Sequence, residues 1–371
     1  MSRKRLSDLG IRIGDLPPGP LNAITDVQGV RVGHVTLVSG EGFLRPGFGP
    51  VRTGVTVVLP HGGNLYQEKV RAAVYTINGY GKVCGFEQVR ELGVLEAPLA
   101  LTNTLNVGLV LDGLVQAAIR QNPQIGIAED SGSLNIVVGE TNDSYLNDIQ
   151  GRHVHAEHVW QALEHARSGL VQEGAVGAGA GTVCYGWKGG IGSASRKLPD
   201  QLGGYTLGAL VQSNFGSRKD LVVTGVPVGR FLSLDPAPPV LTSGSIMIVL
   251  ATDAPLSSRQ LQRLCVRASA GLARTGGYLK HGSGDFVIAF STTVRVPHRP
   301  ASLTTLQTVL VDEAPVINGL FQAVIESVEE AVLNSLTCAE TVVGRDSHIA
   351  QALPLDQLLD LLNRHSDLTV G

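Results

Sequence analysis

The sequence predicts an α/β protein built in layers, with amphipathic helices outside and sheets buried between them. Two patterns and one excess point there. Short apolar runs rich in β-branched residues recur along the chain, several of them continuous rather than alternating, as strands buried on both faces require. Between them lie stretches with apolar residues at i, i+3 or i+4, the period of a helix packed on one side. Glycine supplies 46 of 371 residues, against a usual level of about 7%, which favours tight turns and close backbone approaches over long helices.

In chain order, residues 55–59 and 72–77 predict the first strands, and 107–119 the first helix. A strand follows at 136–138, then a helix over 157–166 that Gly169 is expected to stop. Residues 209–212 and 221–223 predict further strands. The sharpest break is Asp235-Pro-Ala-Pro-Pro239, whose three prolines suit neither a central strand nor a helix and predict an exposed loop. It leads through Gly244 into Ser245 and a buried strand at 246–250. A helix at 258–273 and a strand at 286–290 precede the last helix, 316–336, with Leu320, Phe321, Val324, Val328 and Val332 near one face.

Composition bounds the function. Hydrophobic residues make up 43% and charged residues 16%, as in a soluble globular protein. A net charge of −3, from 29 basic and 32 acidic residues, offers no electrostatic case for nucleic acid. Cys84, Cys184, Cys265 and Cys338 are too widely spaced for a metal cluster and read as reduced core thiols. The basic start, through Arg5, is not followed by an apolar h-region, and no run reaches the ~18 residues of a membrane span. A cytoplasmic protein without membrane contact is expected.

Gly244–Ser245 carries the chemistry. A Ser hydroxyl can attack the carbonyl just before it in an N→O acyl shift, and a preceding Gly allows backbone angles that other residues resist. Cleavage would free an α-amine with an intrinsic pKa of about 7.7–8.0, a usable base beside the nucleophile. On residues alone, Ser-Gly-Ser before a strand is also an ordinary turn. The glycines from Gly174 to Gly192 do not form a phosphate loop, because Thr182 stands where GxGxxG needs Gly. His153, His155, His158 and His165 surround one predicted helix without forming HExxH, and read as a surface cluster rather than a metal site. Ser283 and Asp285, two apart at a strand edge, would point the same way.

Ordered blocks extend the reading over nearly the whole chain. They include Pro18 to Val27, Gly29 to His34, Arg52 to Thr56, Pro60 to Asn64, Thr102-Asn-Thr104, Glu140-Thr141 and Leu146 to Ile149. The stretch from Gly174 to Arg196, Gln212 to Gly216, Gly244 to Pro255, Gly282 to Asp285, Ala289 to Thr292 and Glu340 to Arg345 complete them. In order and spacing this pattern resembles the DmpA-type family of L-aminopeptidase/D-amidase-esterases and β-peptidyl aminopeptidases. The resemblance implies a four-layer αββα sandwich akin to, but connected differently from, other N-terminal-nucleophile hydrolases. It implies self-cleavage between Gly244 and Ser245 into an α-chain, 1–244, and a β-chain, 245–371. Ser245 would be the nucleophile, Asn214 the oxyanion donor, Ser283 its contact and Asp285 their support. Glu140 would bind the substrate's free amino group. Asn142 stands where some members carry an aromatic residue, a departure at the substrate pocket, and related enzymes can carry Glu in place of Asp285.

The expected reaction is hydrolysis of N-terminal aminoacyl amides, peptides or esters through an acyl-enzyme, with no cofactor and no metal. The resemblance also implies a homo-oligomer of cleaved α/β pairs. Two rivals stand beside it: acyl transfer of the ornithine-acetyltransferase type, in which related enzymes cleave before Thr, and an unprocessed binding protein on the same fold.

Overall fold

The structure, a computed structural model, describes residues 3–232 and 244–366. The first half of the chain forms β1 (Arg31–Ser39), β2 (Val51–Leu59), β3 (Glu68–Gly79), α1 (Phe86–Leu92), β4 (Val94–Leu95) and β5 (Leu99–Asn103). Then come α2 (Val107–Gln121), β6 (Val137–Thr141), α3 (Ala156–His165), β7 (Val183–Cys184), β8 (Trp187–Lys188), β9 (Ile191–Lys197) and β10 (Thr206–Asn214). The remainder forms β11 (Ser245–Thr252), α4 (Ser258–Arg274), β12 (Gly284–Pro297), α5 (Pro315–Thr337), β13 (Val342–Val343), β14 (Ile349–Ala350) and α6 (Leu355–Ser366).

Two mixed sheets dominate. One has the order β1-β2-β5-β6, the other β4-β3-β12-β11-β10-β9. Parallel pairing joins β5 to β6 and β11 to β12, and every other neighbour in these two sheets is antiparallel.

The layers follow from which faces are apolar. Met247 and Val249 of β11 pack with Val58, Leu101 and Val137 of the other sheet, so the two sheets face each other. Ile246, Ile248 and Leu250, the alternate residues, pack with Leu264 of α4 and Val328 of α5. Because successive strand residues point to opposite faces, β11 had to be apolar without interruption. On the far side, Val55 and Val57 of β2 and Val138 of β6 meet Val110 and Leu114 of α2 and Val159 of α3. The order is helices, four-stranded sheet, six-stranded sheet, helices, which is the αββα sandwich the resemblance implied.

Local signals account for the helices. Ser257 and Gln260 cap α4 reciprocally: Ser257 N–H donates to Gln260 Oε1 at 3.0 Å, and Gln260 N–H to Ser257 Oγ at 3.3 Å. Pro315 opens α5 at its first turn, where a missing N–H costs nothing. Gly192 lets α5 press on the sheet, since a Cβ there would stand 1.9 Å from the Ala331 carbonyl oxygen.

Two expectations are corrected. Residues 221–223 are not a strand; they form a loop with a single bridge between Val223 and Val226, and Leu221 and Val223 are apolar because they pack into the helix-side core. The helix at α3 ends at His165, with Ala166 already extended, so Gly169 is not its stop. The predicted loop Asp235–Pro239 lies outside the described residues.

Candidate active site

Ser245 is the first residue of β11, opposite Asn214 on antiparallel β10 and Gly284 on parallel β12. By strand alternation, Ser245 shares its face with Met247, and Asn214 shares its face with Leu210; both faces look toward the other sheet. Both side chains are buried. The Gly284 N–H reaches two acceptors at once: the Gly244 carbonyl oxygen at 3.2 Å and Ser245 Oγ at 3.3 Å. One donor therefore bridges the bond before Ser245 and the hydroxyl beside it.

Gly244 is needed for space. A Cβ there would lie 2.6 Å from Phe215 Cα and 2.9 Å from the Asn214 carbonyl oxygen.

Asn214 is held from both ends of its amide. Oδ1 accepts from Val183 N–H at 2.8 Å, and Nδ2 donates to the Asn142 carbonyl oxygen at 2.9 Å. That leaves one Nδ2 hydrogen to aim at a developing oxyanion. Asn142 thus contributes its backbone; its exposed side chain accepts from Ser144 N–H at 2.9 Å.

Ser283 and Asp285 are brought together, but not onto Ser245 Oγ. Ser283 Oγ donates to Asp285 Oδ1 at 2.6 Å. Asp285 follows the alternation of Val287 and Ala289, whose face meets the helices, so it stands across the sheet from the Ser245 hydroxyl. Ser283 therefore contacts Asp285 where a contact with the nucleophile was expected. Asp285 Oδ2 is buried without a partner, and both residues line a small cavity with Gly244, Phe215 and Leu272. Burial pushes the Asp285 carboxyl up to about 6, against the pull of the Ser283 hydroxyl and the Ile246 backbone.

Glu140 sits in β6, 2% exposed, not on a solvated loop. Its Oε1 accepts from Lys82 N–H at 2.9 Å and its Oε2 from the Thr104 hydroxyl. Burial raises its pKa, and the Thr104 and Lys82 hydrogen bonds oppose that. A Cβ placed on Gly81 would stand 3.2 Å from Glu140 Oε1 and 3.3 Å from Gly284 Cα, which puts the carboxylate one small gap from the residue that bonds Ser245.

Sequence reasoning missed the Gly284 backbone, which no side-chain signal marks. It also missed two buried ionisable groups, Lys188 and Asp143. Lys188 is fully buried, donates to the Gly179 and Gly189 carbonyls at 2.8 and 2.6 Å, and is held down at about 7 by burial. Burial pushes Asp143 up to about 7 while Thr53 and Asn147 donate to it at 2.5 and 3.0 Å. A lone Lys inside the glycine-rich run is the mark that could have shown the first. His153 bonds Asp148 at 3.1 Å, and His155 faces His158 with ring centres 5.9 Å apart.

Comparison with known proteins gives one consistent answer. The profile of peptidase family S58 matches residues 22–350. The beta-peptidyl aminopeptidase BapA of Sphingosinicella microcystinivorans is 40% identical, over 99% of this chain and 94% of that protein. The crystal structure of the PH0078 protein from Pyrococcus horikoshii OT3 superposes with a TM-score of 0.92 at 50% identity, covering 98% of this chain and 99% of that one. An L-aminopeptidase D-Ala-esterase/amidase from Ochrobactrum anthropi, described as a variant of the Ntn-hydrolase fold, gives a TM-score of 0.90 at 39% identity, covering 98% and 99%.

Proposed function

This chain belongs to peptidase family S58 and is a hydrolase of the aminopeptidase class, and on that premise we propose that it cuts itself before Ser245 and then hydrolyses aminoacyl substrates on the freed residue. The reading rests on the shared Gly284 N–H, which polarises the Gly244 carbonyl while holding the Ser245 hydroxyl next to it. In the first step Ser245 Oγ adds to the Gly244 carbonyl carbon. The C–N bond breaks, the Ser245 nitrogen takes the hydroxyl proton, and an ester remains. Water then cleaves the ester, leaving a Gly244 carboxylate and the α-amine of Ser245. With an intrinsic pKa of about 7.7–8.0, that amine can accept the Oγ proton near neutral pH.

In turnover, Oγ attacks the acyl carbon of an amide, peptide or ester. The free Nδ2 hydrogen of Asn214 and the Gly284 N–H meet the developing oxyanion, a contribution of about 2.7–4 kcal/mol for one such donor. The proton passes to the departing amine, and water releases the acyl group. Asp285, on the helix side with one oxygen unpartnered, faces the place that Gly244 vacates and serves the α-amine rather than the hydroxyl. Glu140 receives the ammonium of the substrate through charge-assisted hydrogen bonds. A β-amino or an α-amino acyl group fits this role for Glu140. No described helix is long and apolar enough to cross a membrane. A cytoplasmic location and an assembly of cleaved pairs belong to the same proposal. The non-enzymatic rival falls with the family assignment, and no observation favours acyl transfer.

Intact mass spectrometry tests the proposal. Active protein is expected as two chains that separate between residues 244 and 245, and Ser245→Ala as one inactive chain of 39.0 kDa. Full activity in Ser245→Ala, or an active uncut chain, would sink it.

A further inference from the structure

Asn214 can serve an oxyanion only if its amide keeps one orientation, and the two groups that fix it are backbone atoms of short segments. The Val183 N–H belongs to β7, a two-residue strand paired with two-residue β8. The Asn142 carbonyl stands one residue past the end of β6. A hairpin this short makes too few ladder bonds to hold its own shape.

Behind each group stands a buried ionisable side chain. Lys188, paired with Val183 across the hairpin, turns its ammonium back onto the chain. Its Nζ donates to the Gly179 carbonyl before β7 at 2.8 Å and to the Gly189 carbonyl after β8 at 2.6 Å. One cation thereby ties both ends of the 179–189 loop, with Val183 inside it. The Thr182 hydroxyl joins the same Gly179 oxygen at 3.0 Å, and Gly189 N–H returns to the Thr182 carbonyl at 3.2 Å. On the other side, Asp143 follows Asn142 directly. Its carboxylate takes hydrogen bonds from Thr53 of β2 and from Asn147, and its carbonyl accepts the Leu146 and Asn147 N–H groups at 3.1 Å. The two segments touch: a Cβ on Gly181 would stand 2.9 Å from Asp143 Cβ and 2.1 Å from the Arg52 carbonyl oxygen. Burial lowers the pKa of Lys188, and the charge of Asp143 opposes that. Apolar replacements of buried charge pairs are often neutral for stability, so stability alone is a weak reason for a lysine and an aspartate here. An ammonium does what no apolar side chain could, holding two carbonyls in fixed directions at once.

We propose that Lys188 and Asp143 are positioning residues of the oxyanion site: they lock the two backbone groups that grip the Asn214 amide, so that its free Nδ2 hydrogen keeps its aim. This rests on the reading of Asn214 as the oxyanion donor, and the experiment separates the two. Steady-state kinetics with an aminoacyl p-nitroanilide, referred to cut protein counted by intact mass, are compared for Lys188→Met, Asn214→Ala and the double variant. Asn214→Ala is expected to lose about 10²–10³ in kcat. Lys188→Met, which keeps most of the volume, is expected to lose about 10- to 100-fold in kcat with KM nearly unchanged, the cost of a misaimed group. The double variant should be no slower than Asn214→Ala alone, since nothing is left to position. A merely structural lysine would instead add its loss to that of Asn214→Ala. If Lys188→Met is not recovered folded and cut, Thr53→Val, which takes one donor from Asp143 at nearly the same volume, decides in its place: kcat must fall, and the fall must vanish on an Asn214→Ala background. Unchanged kcat in the single variant, or losses that multiply in the double, would overturn the positioning proposal, while a slow Asn214→Ala leaves the oxyanion reading standing. Full kcat in Asn214→Ala would remove both.

Discussion

Asp285 has one carboxylate oxygen bonded to Ser283 and one buried with no partner, and its pKa is raised to about 6 by burial. A carboxyl raised in this way is neutral below about 6 and ionised above it, so a step that uses the carboxylate is lost as pH falls through that value. Turnover of an aminoacyl p-nitroanilide by the cleaved protein should show an acid limb centred near 6, and Asp285→Asn should be slow with no such limb. An acid limb near the ordinary aspartate value would show that Asp285 plays no part. The same shift has a stability consequence of opposite sign. Folding favours the protonated form, so the contribution is present at low pH and lost as pH rises through about 6. Asp285→Asn, always neutral, should therefore melt higher than wild type above that pH, a trade of stability against function.

At the scale of elements, the close approach of α5 to β9 makes a sharp prediction. A methyl group on Gly192 meets backbone, the Ala331 carbonyl at 1.9 Å, which cannot swing aside. Gly192→Ala should cost about 1–3 kcal/mol of stability in denaturant unfolding. Gly139→Ala, which meets only the flexible end of Met247, should cost less. The same packing explains what the sequence could and could not reveal. Strands β11 and β12 were legible because both faces are covered and both are apolar. Strand β9 was not, since Gly192, Ser193, Ala194 and Ser195 are buried as small residues under a helix and carry no hydrophobic signature. Edge strand β1 alternates too loosely to be read. In the site, Ser245, Asn214, Asp285 and Glu140 were legible through ordered blocks of sequence. The Gly284 N–H was not, because a backbone donor acquires its role only when β12 pairs with β11. Nor did spacing show that Ser283 and Asp285 lie across the sheet from the hydroxyl, which depends on the parity of two strands.

Across the whole molecule, buried ion pairs and hydrogen bonds join residues before Gly244 to residues after it. Arg196 pairs with Glu326 at 3.0 Å and Glu330 at 2.7 Å, Asn22 donates to Glu330 at 2.6 Å, and Leu6 N–H donates to Asn334 at 3.0 Å. Removing one partner of such a cluster strands the others, at about 3–5 kcal/mol. Arg196→Met should lower the urea midpoint at which the two cleaved chains part, and adding Glu326→Gln and Glu330→Gln should recover part of the loss. An unchanged midpoint would mean that the cluster does not hold the chains together.

The six-stranded sheet gives the proposed cut a direction in time. In the order β4-β3-β12-β11-β10-β9, the two strands that follow Ser245 are the central pair, and strands that precede Gly244 flank them on both sides. The two products are threaded through one another like the fingers of clasped hands. Each lacks, on its own, the neighbouring strands that the other supplies. The scission is therefore expected last, after a single polypeptide has woven the sheet, and it leaves two chains whose strands interleave within it.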